Sequence, residues 1–322
     1  VGALRGSIVI VLVATASCER APSTDPRAPS LPPADPARVV APVRPVRSAP
    51  VDFLRFEGNR SAFFQAPSPT ALFAIEPAPA AATTEVSIAT PPPAIVAAPP
   101  GACPTGMVFV EGEACTEVEH VCLQKMEDDP ARRCLEFKVG ADKCIGSRGR
   151  LRFCMDRYEW PGTPGAQPRV LVDYFAAEKL CKSVGKRMCK EDEFYLACEG
   201  PEHWPYAWGH VRHPSPCNVD RPYFMVDWKK WAKGGEAMRE EAVRLDQALP
   251  IGTSKCWSPY GIHDIAGNVD EWTTSRPGRE LLGSLNGGYW GPVQNACRYV
   301  TLVHGPEFMF YQIGFRCCAD AH

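Results

Sequence analysis

Of the fifteen cysteines in the 322 residues, all but Cys18 lie from Cys103 onward. An even set at that density reads as a domain stapled by disulfides in an oxidising compartment, because a reducing cytosol keeps such thiols apart. Which cysteine joins which is not legible from spacing. One restriction is physical: adjacent Cys317 and Cys318 would strain a bond to each other, so each is expected to pair elsewhere. Cys297 likewise reads first as half of a disulfide, and as a catalytic thiol only if it is free.

More than half of the 33 prolines fall between Pro22 and Pro100, in an Ala/Pro/Ser/Thr stretch with little periodic apolar surface to bury. Residues 18–101 therefore read as a disordered linker and 102–322 as one globular domain of ordinary size. Ahead of them, Arg5 and the apolar run from Ser7 to Ala16 read as a signal peptide over residues 1–17, too short to span a bilayer. Two processing readings stand: ordinary cleavage after Ala16, or a lipobox ending at Cys18. The second removes the odd thiol, which favours a bacterial lipoprotein anchored at Cys18. The expected location is the cell envelope, at an outer membrane and facing periplasm or surface. Inside the linker, residues 51–65 form an aromatic island with Phe53, Phe56, Phe63 and Phe64, either a sticky patch or a docking segment. A formal net charge of -2 supplies no basic field for nucleic acid.

Within the domain, residues 106–112 (GMVFVEG) and 151–160 (LRFCMDRYEW) read as strands bounded by glycine or Pro-Gly. A charged, cysteine-rich excursion from Cys115 to Cys144 has too little apolar periodicity for a core of its own and needs disulfides. Asp173 is an expected N-cap, followed by Ala177, Leu180, Cys181 and Val184 at helical spacing and by Gly185 as a stop. A second helix begins at Glu191, Asp192 and Glu193, which suit the positive end of its dipole, and buries Phe194, Ala197 and Cys198. Beyond Tyr206 the chain is rich in Gly, Pro, Trp and Tyr, with a helical pattern only near Lys229 to Arg244. The expected class is α+β with much irregular structure.

The succession of GKRMCKEDEFYLACEG (185–200), YAWG (206–209), SPYGIHDIAGNVDEW (258–272), LNGGYW (285–290) and the terminal GFR (314–316) resembles the formylglycine-generating enzymes, or sulfatase-modifying factors. GMVFVEG and CMDRYEW resemble that family's opening strands. The resemblance covers about residues 107–318 and implies a C-type-lectin-like mixed fold.

Family members oxidise a peptide cysteine using O2 and a copper(I) ion held by two thiolates, soft donors that suit a soft ion. The resemblance places that pair five residues apart, just after an Arg-Gly-Gly-Ser stretch. Here the stretch is Asn286-Gly287-Gly288-Tyr289, and the two thiolate positions fall on Pro292 and Cys297. Proline has no donor atom, so this loop cannot form the copper pair. The resemblance also implies a calcium site made by Asp264, the carbonyls of Gly267 and Val269, and Glu271, hard oxygens of the kind Ca2+ prefers. A second one would begin at Asn218 and Val219, with Asp246 as the candidate acidic partner. Asp270 stands where the family has an aromatic.

Two functions are carried forward. One is a non-catalytic module that binds a peptide, glycan or envelope protein through a groove offering Tyr289, Trp290, Arg298, His304 and Tyr311. The other is a divergent oxidase with a different ligand set, which requires a free thiol or a redox metal.

Overall fold

The computed structural model describes residues 97–127, 129, 133–213 and 216–322. All of them belong to one compact unit, Pro79–His322. The signal segment, Cys18 and the aromatic island lie outside the described residues.

Strand β1 (Met107–Cys115) pairs antiparallel with β6 (Arg148–Asp156) from Met107↔Asp156 to Cys115↔Arg148. Both strands run past the apolar stretch that announces them. The inner half is buried, with Val108, Val110, Phe153 and Met155 in one cluster. The outer half is a polar ribbon in which Arg148 pairs with Glu113 and Arg150 with Glu111. Exposed pairs of this kind contribute little each, about 0–1 kcal/mol, so the Cys115 to Cys144 disulfide at the end of the ribbon is the firmer tie. At its other end β6 stops at Asp156, four residues earlier than the sequence suggests, and residues 157–160 leave the sheet.

Between β1 and β6 the cysteine-rich excursion folds as two small ladders. Strands β2 (Val118–Glu119) and β5 (Lys143–Cys144) form one, β3 (Cys122–Lys125) and β4 (Cys134–Phe137) the other. The second is closed by Cys122 and Cys134. The excursion is fixed to the rest of the domain where Asp142 accepts from both His120 (2.7 Å) and His210 (2.5 Å).

Helix α1 (Tyr174–Ser183) starts where expected, with the Asp173 carboxylate accepting the Ala176 N–H at 2.7 Å. It buries Tyr174, Ala177 and Cys181, whereas Val184, past its end, is half exposed at 50%. After β7 (Arg187–Met188), helix α2 (Glu191–Glu199) is buried nearly all round rather than on one face. It tolerates this because each buried glutamate has partners. Glu193 accepts from the Lys190 N–H and from Arg187, Glu191 from Tyr195 and Arg279, and Glu199 from Arg298. The charged stretch resolves into α3 (Trp228–Lys233) and α4 (Gly235–Leu245).

The rest of the chain contributes β8 (Asp270–Thr274), β9 (Gly283–Asn286), β10 (Val300–Thr301), β11 (Ile313–Phe315) and β12 (Cys317–Asp320). Two four-stranded sheets result, ordered β1-β6-β12-β7 and β10-β9-β8-β11. One core surrounds α2 and the first sheet, and a second packs Trp272, Leu285, Ile313 and Phe315 against α1. The class is α+β with much irregular structure, as the sequence suggests. Among the described residues no helix is long and apolar enough to cross a membrane.

All fourteen domain cysteines are bonded. Cys317 and Cys318 do pair elsewhere, with Cys181 at the end of α1 and Cys189 just after β7. The remaining bonds join Cys103 to Cys154, Cys198 to Cys297 and Cys217 to Cys256. The Cys181 bond spans 136 residues and the Cys122 bond 12, so chain entropy assigns them about 5 and about 3 kcal/mol. Replacing Cys181 and Cys317 together by serine should therefore lower the melting temperature more than replacing Cys122 and Cys134. Thermal melts of the two oxidised double variants check that order.

Candidate functional site

The loop that leaves β9 is shaped by two glycines in the left-handed region, Gly287 (φ 84°) and Gly288 (φ 71°). A Cβ at Gly287 would stand 2.6 Å from the Ile265 carbonyl, so neither the dihedral nor the space admits another residue. Beyond them the loop is held from outside. The Asn295 amide donates to the Tyr289 carbonyl at 2.5 Å, and the guanidinium of Arg212 donates to the carbonyls of Val293 (2.9 Å) and Gln294 (2.5 Å). Arg133 reaches the same Val293 carbonyl at 3.0 Å, and Asp220 pairs with both arginines. Cys297 is fully buried and bonded to Cys198 of α2, with an S–S distance of 2.06 Å. The condition on which it would be a catalytic thiol is not met in this structure. Pro292 is exposed at the tip.

Not all of the expected groove residues come together. Tyr289, Trp290 and Tyr311 form one aromatic group, with Trp290 edge-on to Tyr289 at 5.7 Å and tilted against Tyr311 at 6.0 Å. Within it Trp290 and Tyr311 are core, 1% and 3% exposed, and only Tyr289 is partly open. Burial raises the Tyr311 phenol to about 12 and the Tyr289 phenol higher still. Arg298 is instead clamped on the Glu199 carboxylate (2.6 and 2.7 Å) and lies over the Tyr195 ring. His304 stacks on Phe308 at 3.8 Å.

Opposite Gly287 and Gly288, the first residue of β8 is Asp270, 6% exposed, whose Oδ1 has no hydrogen-bond partner among the described residues. Burial pushes its carboxyl up to about 8, against a smaller opposing effect of the Gly288 N–H. At neutral pH it is a protonated acid beneath the loop.

The segment before β8 and the second residue of that strand hold the expected calcium ligands. Asp264 and Glu271 are each 1% exposed, and a third carboxyl, Glu159, is 2% exposed. Glu159 accepts from the Asn268 amide at 2.7 Å and the Val269 N–H at 3.3 Å. Its pKa is raised well above the usual carboxylate range by burial, then by the charges of Asp264 and Glu271. Facing the three is Arg316, bidentate on Glu271 at 2.7 and 2.6 Å. Asp264 Oδ1 accepts from Ser254 at 2.6 Å, while its Oδ2 has a 2.5 Å ion-pair contact with His263 Nδ1 that lacks hydrogen-bond geometry. Among the described residues, no group of three or more His, Cys, Asp or Glu side chains is arranged to hold a metal. A set of two carboxylates and two carbonyls is a different arrangement, and here an incompletely satisfied Asp264 oxygen sits in a buried site rich in acid. Of the three carboxyls only Asp264 keeps an oxygen without a hydrogen bond, since both Glu271 oxygens are on Arg316 and both Glu159 oxygens accept from Asn268 and Val269. That one hard oxygen is the donor open to a cation.

Glu159, Asn268 and Arg316 were present in the motifs that signalled the family, without a role. Asn268 is the buried hub of this segment, joining Asn218 (2.9 Å), Leu249 N–H (2.8 Å) and Glu159. At the second expected calcium position the Asn218 Oδ1 accepts from Arg221 at 2.8 Å and Asp246 Oδ1 from the Ala248 N–H at 2.8 Å.

Two four-stranded sheets, sparse helices and a clamped twin-glycine loop make this an α+β domain with much irregular structure. The chain belongs to the sulfatase-modifying factor family: residues 155–321 match the sulfatase-modifying factor enzyme 1-like domain. Two curated relatives, each described as inactive C-alpha-formylglycine-generating enzyme 2, come from Bos taurus and Mus musculus. Each is 28% identical over 164 residues, covering 48% of this chain and 50% or 49% of the relative. The chain thus spans about half the length of the curated relatives it matches. Among solved structures it is similar to CarF (16% identity, TM-score 0.39, 65% of this chain and 97% of that one). PvdO from Pseudomonas aeruginosa is similar to the same degree (16% identity, TM-score 0.38, 65% and 94%).

Asp270 yields a pH prediction with a definite sign. The unfolded chain releases this proton near pH 4 and the folded domain keeps it until about pH 8, so its contribution to stability falls as pH rises through that window. Asp270→Asn should remove that slope. The variant should match the wild type near pH 4 and exceed it by on the order of a few kcal/mol at pH 8–9, read from denaturant unfolding at each pH.

Proposed function

We propose that this domain is a non-catalytic binding module of the sulfatase-modifying factor family, exported and anchored to the cell envelope through Cys18. Its partner is a peptide, a glycan or an envelope protein, engaged at the partly open Tyr289 side of the loop. One observation carries the reading: the two positions where the family's copper chemistry needs thiolates hold Pro292, which has no donor, and Cys297, which is bonded to Cys198. The description of the curated relatives as inactive is in keeping with it. Intact-mass measurement of the unreduced protein before and after alkylation, with metal analysis, tests it. The expected result is no alkylated thiol in the domain and no bound copper or iron. A free Cys297 or a stoichiometric redox metal would overturn the binding-module reading in favour of a divergent oxidase. Screening on peptide and glycan arrays should then give a ligand whose binding Tyr289→Ala weakens at least tenfold.

Calcium is part of the proposal. Asp264, Glu271 and the carbonyls of Gly267 and Val269 would hold it, and its charge would offset buried carboxylates that Arg316 alone does not neutralise. Its role would be to stiffen the segment that supports the loop. Adding Ca2+ at about 100 times its Kd to chelator-stripped protein should stabilise the fold by about 2.7 kcal/mol. Calorimetric titration with no heat of binding and no shift in melting temperature would remove calcium, and Asp264→Ala should abolish any shift that is seen.

A further inference from the structure

The segment that enters α3 carries an apolar run on its outer side. Tyr223, Phe224, Met225 and Trp228 are 51%, 42%, 73% and 60% exposed. Soluble domains rarely leave four such side chains together in water without a use. They are not slack. Trp228 stacks on Phe310 at 5.9 Å and Trp231 packs edge-on to the same ring at 4.5 Å.

The backbone of the run is fastened inward. The Met225 carbonyl accepts from Arg244 at 2.6 Å, the Pro222 carbonyl from Gln247 at 3.0 Å, and the Asp227 N–H donates to Glu241 at 2.7 Å. The Asp227 carboxylate caps α3 through the N–H groups of Lys229 and Lys230. With those polar groups satisfied from within, the apolar side chains can enter a dry environment without dragging unpaired carbonyls along.

The charge is also one-sided. Residues 221–233 hold Arg221, Lys229, Lys230 and Lys233 against the single acid Asp227, all exposed, in a chain whose formal net charge is -2. Tryptophan and tyrosine beside lysines whose long stems carry the ammonium outward is the composition of a surface that sits at a lipid headgroup boundary.

We propose that residues 221–233, centred on α3, form a membrane-contact surface that seats on anionic phospholipid. The inference does not rest on the binding-module, calcium or lipid-anchor readings. The test uses the full chain with Cys18→Ser, so that no attached lipid contributes. Its sedimentation is compared with vesicles of phosphatidylcholine alone and of phosphatidylcholine with phosphatidylglycerol in equal parts. The expected result is binding to the anionic vesicles that salt weakens, with a blue shift in tryptophan emission. Replacing Lys229, Lys230 and Lys233 together by glutamine should weaken it by roughly 100-fold. Phe224→Ser with Met225→Ser should weaken it as well, and all these side chains are exposed enough for the variants to keep the parent melting temperature. Equal sedimentation with both vesicle types overturns the proposal, as does unchanged binding of the lysine variant. Capture by polyglutamate beads with no vesicle binding would assign the surface to an acidic protein partner instead.

Discussion

The buried pair between Arg316 and Glu271 is the interaction on which the arrangement of this domain turns. Arg316 sits between β11 and β12, and from there its guanidinium also reaches the carbonyl of His263 at 3.0 Å. One side chain thus holds the end of the chain, the start of β8 and the loop that precedes it in a single register. A charged pair in so dry a place is not a source of stability by itself, because desolvation offsets most of the attraction. Its effect is on geometry: with either partner missing, an uncompensated charge would remain in the core, so alternatives to this packing are excluded. Glu159 and Asp264 are buried in the same region, and burial, then the charges of Asp264 and Glu271, raise the Glu159 carboxyl well above its ordinary range.

The twin-glycine loop is fixed both by its own backbone and by side chains that reach it from outside. Clamping by Arg212, Arg133 and Asn295 fixes a backbone that has no thiolate to present. Asp270 lies below the loop as a carboxyl that burial keeps protonated. A disulfide from Cys297 to α2 adds a covalent tie at the far end of the loop.

Much of this was legible from residue order. The N-cap of α1, the acidic first turn of α2 and the separate partners of Cys317 and Cys318 follow from local rules that tertiary structure respects. What was not legible is set by burial that no periodicity reports. Helix α2 reads as amphipathic, yet it is wrapped on all sides, because arginines distant in sequence arrive to pair its glutamates. Strand β6 starts three residues ahead of its apolar stretch, because Arg148 and Arg150 look like loop residues until Glu113 and Glu111 are opposite them. The groove differs for the same reason: Trp290 and Tyr311 are aromatic for packing, so of the three clustered rings only Tyr289 keeps an outward side, and Arg298 is bound to Glu199. Asn268 and Arg316 were within the family motifs, but their role emerges only when strands and loops far apart in sequence are brought together.

The seven disulfides also make folding a redox reaction. Each bond releases two electrons, so a chain cannot reach this state without an acceptor that takes up all of them. Three of the bonds close loops of about a hundred residues or more, from α1, β7 and α2 to the last part of the sequence. Those sulfurs meet only after most of the chain has been made, and until then the thiols of α1 and α2 are open to wrong partners. The bonds of α1, of Cys189 and of α2 therefore wait on Cys297, Cys317 and Cys318.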